Sequence, residues 1–386
     1  MSLADRVEGI APFHVMAILA RAKELEARGR SIIHLEIGEP DFSTPQPILD
    51  AALAAIKGGD VHYTAALGLP ELRQAIAGFY HERYGLEVSS SRIAVTPGAS
   101  GALLLAAGAL LNPGDEILMA DPGYPCNRQF ARFVNASPVS IPVGPDTGFQ
   151  LTFRRVAEHW AEKTKAVLLA SPSNPTGTLA LDAEVKEIAG LCEQRGATLI
   201  VDEIYHGLVY EGNPQTALTH SGKVWVVNSF SKYFHMTGWR LGWLVAPEDA
   251  MEAIERLAQN LFLAAPTAAQ HGALAAFQPA TMEILETRRL EMKERRDFLV
   301  PAFNELGFGL PVVAQGAFYL YADVSRFTKD SFVFARKLLE EVGVAVTPGL
   351  DFGAFSAERY VRFAYTRPLP VLKQAVERIK SFVGRK

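Results

Sequence analysis

The apolar positions of this chain fall into two rhythms. In its middle, short apolar runs recur in RIAVTPG, DEILMAD, PVSIPV, KAVLLASPS, ATLIVDEIY, KVWVVNSF and RLGWLVA, most of them stopped by Gly, Pro, Asp or Ser. Continuous rather than alternating runs of this length read as strands covered on both faces. Helical stretches such as ASGALLLAAGALL separate several of the seven, so the pattern predicts an α/β unit with a mainly parallel seven-stranded sheet between helices.

Toward both ends the rhythm lengthens. HVMAILARAKELEARG reads as an amphipathic helix with a glycine stop, and IIHLEIGEPDF as a short strand running into a proline turn. After Pro247, PEDAMEAIERLAQN and the charged ATMEILETRRLEMKERRDFLVPAFNELG read as helices, the second leading out of the sheet unit. GAFYLYADV, SFVFARKLLEEVG, VAVTPG, RYVRFAYT and LPVLKQAVERIKSFV then alternate again, which predicts a smaller α+β domain. The expected division is a large domain at 45–285 and a small one formed by 1–44 together with 286–386, because chain ends often lie close together.

Composition narrows the function classes. The 386 residues are 49% hydrophobic and 21% charged, with a net charge of −4 and no Lys/Arg run, so nothing points to nucleic acid. Cys126 and Cys192 stand apart with no paired spacing, which argues against a disulfide framework or zinc site and for a reducing, cytoplasmic setting. The longest apolar run, ALLLAAGALL at 102–111, falls well short of the ~20 residues that span a bilayer. Asp5, Arg6 and Glu8 interrupt the N-terminus where a signal peptide needs an apolar core. The nine histidines form no HExxH and no cluster with cysteine, and no metal is expected.

Ligands of α/β sheets bind beyond the carboxyl ends of the strands. At those ends this chain places PGASG, DPGYP, SPSNPTG, DEIY and SFSK. The first starts a helix, so the free N–H groups near Ala99 and Ser100 form an anion site that Gly98 lets a ligand approach. Ser229, Ser231 and Arg240 add phosphate donors, the arginine bidentate. Asp202, at a buried strand end, needs a positive partner, which a protonated ring nitrogen supplies. Lys232, its pKa lowered by desolvation and a nearby cation, can condense with an aldehyde. Phosphate, pyridinium, phenolic oxygen and aldehyde together describe pyridoxal 5′-phosphate, PLP. Each residue also has a plain structural reading. Asp202 is a fitting helix cap, Tyr124 and Tyr205 fit a core, SNPTG fits a turn, and Lys232, Arg240 and Arg362 fit solvated charges or ion pairs. These readings are independent of one another, and the constellation is what points to the cofactor.

The order SNPTG, DEIY, SFSK…TGWRLG, within a span from EIGEPDFSTP to VRFAYT, resembles the class I aminotransferases of the fold-type-I PLP family. The resemblance implies that Lys232 bonds the cofactor aldehyde and moves the substrate proton, and that Asp202 pairs with the pyridinium. It implies that Asn174 and Tyr205 hold the ring oxygen, that Tyr124 stacks on the ring, and that Ala99, Ser100, Ser229 and Arg240 hold the phosphate. Arg362 matches the arginine that grips the substrate carboxylate, and Gly38 a glycine lying over the substrate. Tyr63 matches a residue reaching the cofactor of the other subunit, which implies a homodimer. The implied reaction is ping-pong amino transfer between an L-amino acid and a 2-oxo acid. A carbon–sulfur β-lyase on the same scaffold and an aspartate aminotransferase are the alternatives; a PLP-responsive DNA-binding regulator lacks the room before EIGEPDF. Both cationic devices by which such enzymes take a distal carboxylate are missing: no Arg or Lys lies between Arg256 and Arg288, and Ser100 stands where one group has lysine. A neutral, aliphatic or aromatic donor is therefore expected, with Arg128 as the remaining candidate for a distal cation.

Overall fold

The computed structural model describes residues 4–8, 10 and 12–384. Its strands are β1 (Ile33–His34), β2 (Ile93–Thr96), β3 (Glu116–Asp121), β4 (Ser137–Pro142), β5 (Thr164–Ala170), β6 (Thr198–Asp202), β7 (Trp225–Ser229), β8 (Gly242–Val245), β9 (Tyr319–Asp323), β10 (Val344–Ala345), β11 (Thr347–Pro348) and β12 (Tyr360–Ala364). Seven form one sheet in the order β2-β8-β7-β6-β5-β3-β4. Only β8 runs against its neighbours. The seven apolar runs of the sequence are these seven strands.

The apolar runs are continuous because both faces are covered. Val95, Val167, Val201 and Val226 pack into one core, while Ala94, Leu168, Ile200 and Val227, one residue out of phase, pack into a second core across the sheet. Ladder register then aligns the strand ends. Ala170 sits opposite Asp202, and Asp202 opposite Val227. Gly242 sits opposite both Thr96 and Ser229. Segments far apart in sequence thus leave the sheet at one level.

The terminal segments meet. β1 pairs in parallel with β10, Ile33 opposite Val344, and Ala364 N–H donates to the Leu35 carbonyl. β11, β12 and β9 form an antiparallel three-stranded sheet. Helix Pro279–Glu305, 27 residues long, runs between the two sheets in the sequence. No helix among the described residues is long and apolar enough to cross a membrane.

Candidate active site

A cavity of about 530 Å³ opens at the aligned strand ends and is closed on its far side by the terminal segments. It gathers Gly38, Ala99, Ser100, Tyr124, Asn174, Asp202, Tyr205, Ser229, Ser231, Lys232, Arg240 and Arg362. Of the residues singled out in the sequence for the cofactor and substrate, Tyr63 and Arg128 stay outside; Tyr63 is 83% exposed.

One end is made of backbone and hydroxyl groups. Helix Gly98–Leu110 starts at the end of β2, and Gly98 holds a left-handed φ of +69°. A Cβ there would lie 2.6 Å from the Arg240 guanidinium, so glycine leaves the cradle open. Ser229 and Ser231 are buried, and their hydroxyls bond each other at 2.9 Å. Arg240 Nη1 donates to the Thr237 carbonyl at 3.0 Å and has no carboxylate partner among the described residues.

In the middle, Asp202 is buried and accepts one hydrogen bond, from Ile204 N–H at 3.1 Å. That bond closes a turn and caps no helix, and Asp202 lines the cavity. Burial pushes its pKa up to about 6, against the pull of that N–H and of Lys232. A cationic ring nitrogen would reverse this shift. Lys232 Nζ donates to the Gly38 carbonyl at 2.7 Å. Burial lowers its pKa to about 8; Glu39 and Asp202 oppose this, and the Arg362 and Arg240 charges add to it. The surface reading of Lys232 therefore does not hold. Tyr205 and Tyr319 share a hydroxyl–hydroxyl bond of 2.9 Å.

At the other end Arg362 is buried, stacked between Tyr319 (4.4 Å) and Phe352 (4.9 Å). Its donors reach Asn174 Oδ1 at 2.9 Å, the Glu36 carbonyl at 2.6 Å and Thr347 Oγ1 at 3.2 Å, while Nε has no partner. It makes no ion pair among the described residues. A buried guanidinium held only by neutral oxygens lacks an anion.

Residues 30–379 match the family described as aminotransferase class I and II. The chain belongs to that family. A relative from Mycobacterium tuberculosis named valine–pyruvate aminotransferase is 40% identical over 99% of both chains. A relative from Methanocaldococcus jannaschii, named (5-formylfuran-3-yl)methyl phosphate transaminase, is 38% identical over 99% of this chain and 100% of its own. The crystal structure of an aminotransferase from Mycobacterium tuberculosis superposes with a TM-score of 0.96 at 39% identity, over the whole of both chains. The chain is a PLP-dependent aminotransferase.

The residues present fit that cofactor. An anion cradle, a buried carboxylate, paired tyrosine hydroxyls and a lysine of lowered pKa converge on one space large enough for it. The sequence reading missed several contributors to this aminotransferase site. Tyr319, Thr347, Asp351 and Phe352 line the cavity, as do Phe13 and, from the helix His14–Ala27 that follows it, Val15, Met16 and Leu19. None lies at the end of a strand of the large sheet, so no positional signal marked them. Arg128 is turned away from the cavity and holds the Phe352 carbonyl at 3.0 Å, with Asp121 3.7 Å distant.

Proposed function

We propose that this aminotransferase takes its amino group from a neutral aliphatic or aromatic L-amino acid and passes it to a 2-oxo acid by ping-pong chemistry. The observation that carries the reading is the charge inventory of the cavity. Its cations are Lys232, Arg240 and Arg362, set against four carboxylates, Glu36, Glu39, Asp202 and Asp351. Assigned to aldehyde, phosphate and α-carboxylate, the three cations leave none for a distal carboxylate. The two relatives bear different substrates in their names, so their names support amino transfer and not one donor.

Bound PLP supplies an aldehyde that exchanges amines and a ring that delocalises the charge left when the Cα proton departs. Arg362 binds the α-carboxylate, and Asn174 fixes the guanidinium. Lys232, largely neutral above pH 8, would hold the cofactor through its aldehyde, and its free amine would take the substrate's Cα proton and hand it on. Asp202 would keep the ring nitrogen protonated, the Tyr205–Tyr319 pair and Asn174 would hold the ring oxygen, and Tyr124 would cover the ring. Ala99, Ser100, Ser229, Ser231 and Arg240 would take the phosphate, and Gly38 would leave room over the substrate.

The same reading makes the enzyme a cytoplasmic homodimer. Tyr63 would complete the phosphate site of the partner subunit, which its exposure supports. Its loop is held by Gln270, whose amide bonds Leu69 N–H, Thr64 Oγ1 and the Ala265 carbonyl. Cys126 and Cys192 are both free, in keeping with a reducing compartment. Two units would divide near residues 45 and 285.

The test is the visible spectrum of the holoenzyme, titrated separately with L-valine, L-phenylalanine, L-alanine and L-aspartate. The neutral donors are expected to bleach the cofactor band, and a 2-oxo acid to restore it. A wide preference for aspartate would sink the substrate reading. Keto acid formed with no amino acceptor would replace amino transfer by a lyase reaction.

A further inference from the structure

The first long helix of the chain has an unusual anchor. Helix His14–Ala27 starts after Phe13, which makes no side-chain capping bond. Its leading N–H groups go instead to Asp351: His14 N donates to Oδ1 at 2.6 Å and Val15 N to Oδ2 at 2.8 Å. By contrast, helix Ser331–Val342 is capped by its own neighbour, Asp330. Asp351 lies in the turn after β11, only 8% exposed, and lines the substrate end of the cavity. The next residue fixes that turn from below. The Phe352 carbonyl accepts from Gly123 N–H at 2.9 Å and Arg128 Nη2 at 3.0 Å, and its ring packs against Arg362.

The helix held this way presents Val15, Met16 and Leu19 to the cavity. Leu19 stands four residues from Val15 and three from Met16, so it neighbours both on one side of the helix. An α-carboxylate on Arg362 would leave the substrate side chain between this face and Phe352.

We propose that Asp351 is a specificity-determining, positioning residue: by capping helix His14–Ala27 it fixes the apolar wall that receives the substrate side chain. The inference rests on the donor class proposed above. Both carboxylate oxygens are used, so the wall is held in angle as well as in distance. The same negative charge beside the cavity disfavours an anionic side chain. The sheet-end residues that face the cofactor do not touch this contact, so it acts on donor choice through the position of the wall.

The experiment compares L-leucine with L-alanine as donor to the holoenzyme, following bleaching of the cofactor band. Alanine is too short to use the wall. Asp351→Ala is expected to lower the leucine-to-alanine ratio of kcat/KM by about five- to thirtyfold, the worth of a helix cap, chiefly by raising KM for leucine. Asp351→Asn keeps one acceptor oxygen and is expected to lose less. Met16→Ala, which trims the wall directly, is expected to lower the same ratio. An unchanged ratio, or equal losses for both donors, overturns the inference. Should Asp351→Ala fail to fold, Asp351→Asn and Met16→Ala decide it. If the native enzyme accepts no neutral donor, the proposed donor class itself has failed, whatever the variants do.

Discussion

At the sheet end of the cavity, Ser229, Asp202 and the start of helix Gly98–Leu110 hang from strand termini locked in one ladder. At the opposite end, Arg362 comes from β12, Tyr319 from β9, Gly38 from the turn after β1, and the apolar wall from helix His14–Ala27. The first set is held by the backbone of a single sheet and needs only short side chains. The second is assembled from four segments and is tied to the sheet end by side-chain bonds, such as Asn174–Arg362 and Tyr205–Tyr319. A rigid frame suits a cofactor whose shape never changes; a joint between separate segments suits a substrate that must enter, react and leave.

The sharpest way to break this contrast is to remove the group on which both ends converge. Lys232→Ala is expected to cut the single-turnover rate with L-valine by about 10⁴-fold and to abolish the lysine-bound cofactor band, leaving PLP in the cradle. A variant that still turned over near the native rate would exclude Lys232 as the base.

Next in size, Arg362→Leu should damage only the substrate end. We expect kcat/KM for amino acids to fall about 100-fold, the loss of two or so charged hydrogen bonds, with PLP still bound. It also tests the coupling of the two ends. The Lys232 pKa is depressed to about 8, mainly by burial and in part by the Arg362 charge. Capture of PLP by the cofactor-free protein should rise with pH through that midpoint, because only the neutral amine reacts. Removing the Arg362 charge makes the ammonium less costly, so the midpoint should move up. A downward move, seen by absorbance across a pH series, would contradict the charge coupling.

Gly38→Ala should be milder. A Cβ there would collide with the Tyr319 hydroxyl, disturbing the Tyr205–Tyr319 pair and the carbonyl that holds Lys232. About a tenfold fall in kcat is expected, and restoring space with Tyr319→Phe in the double variant should recover part of it. The smallest effect belongs to Tyr63→Phe. Loss of one hydroxyl–phosphate bond across a dimer should weaken PLP retention by about fivefold, measured by dialysis. No change at all would remove the reason for placing Tyr63 at the partner's site.

The legibility of the site followed the same divide. Asp202 and Lys232 could be read from the sequence because each closes an apolar run, and a strand end in such a sheet is a place where ligands bind. Arg362 and Gly38 could be placed only through family resemblance, since an arginine inside RYVRFAYT looks like any strand residue. Asp351 carried no signal at all: its partners are His14 and Val15, 337 and 336 residues away.

The sequence by itself determined the seven strands of the large sheet, the order of the groups at their ends and the cofactor those groups describe, because each depends on local periodicity and on residues within a few positions of a strand terminus. Only the tertiary structure decided which face Arg362 turns to, that Arg128 holds the Phe352 carbonyl, and that helix His14–Ala27 walls the cavity. Those outcomes depend on the pairing of β1 with β10 and on side chains meeting across hundreds of residues. No local pattern encodes such distances; the packing of the whole chain does.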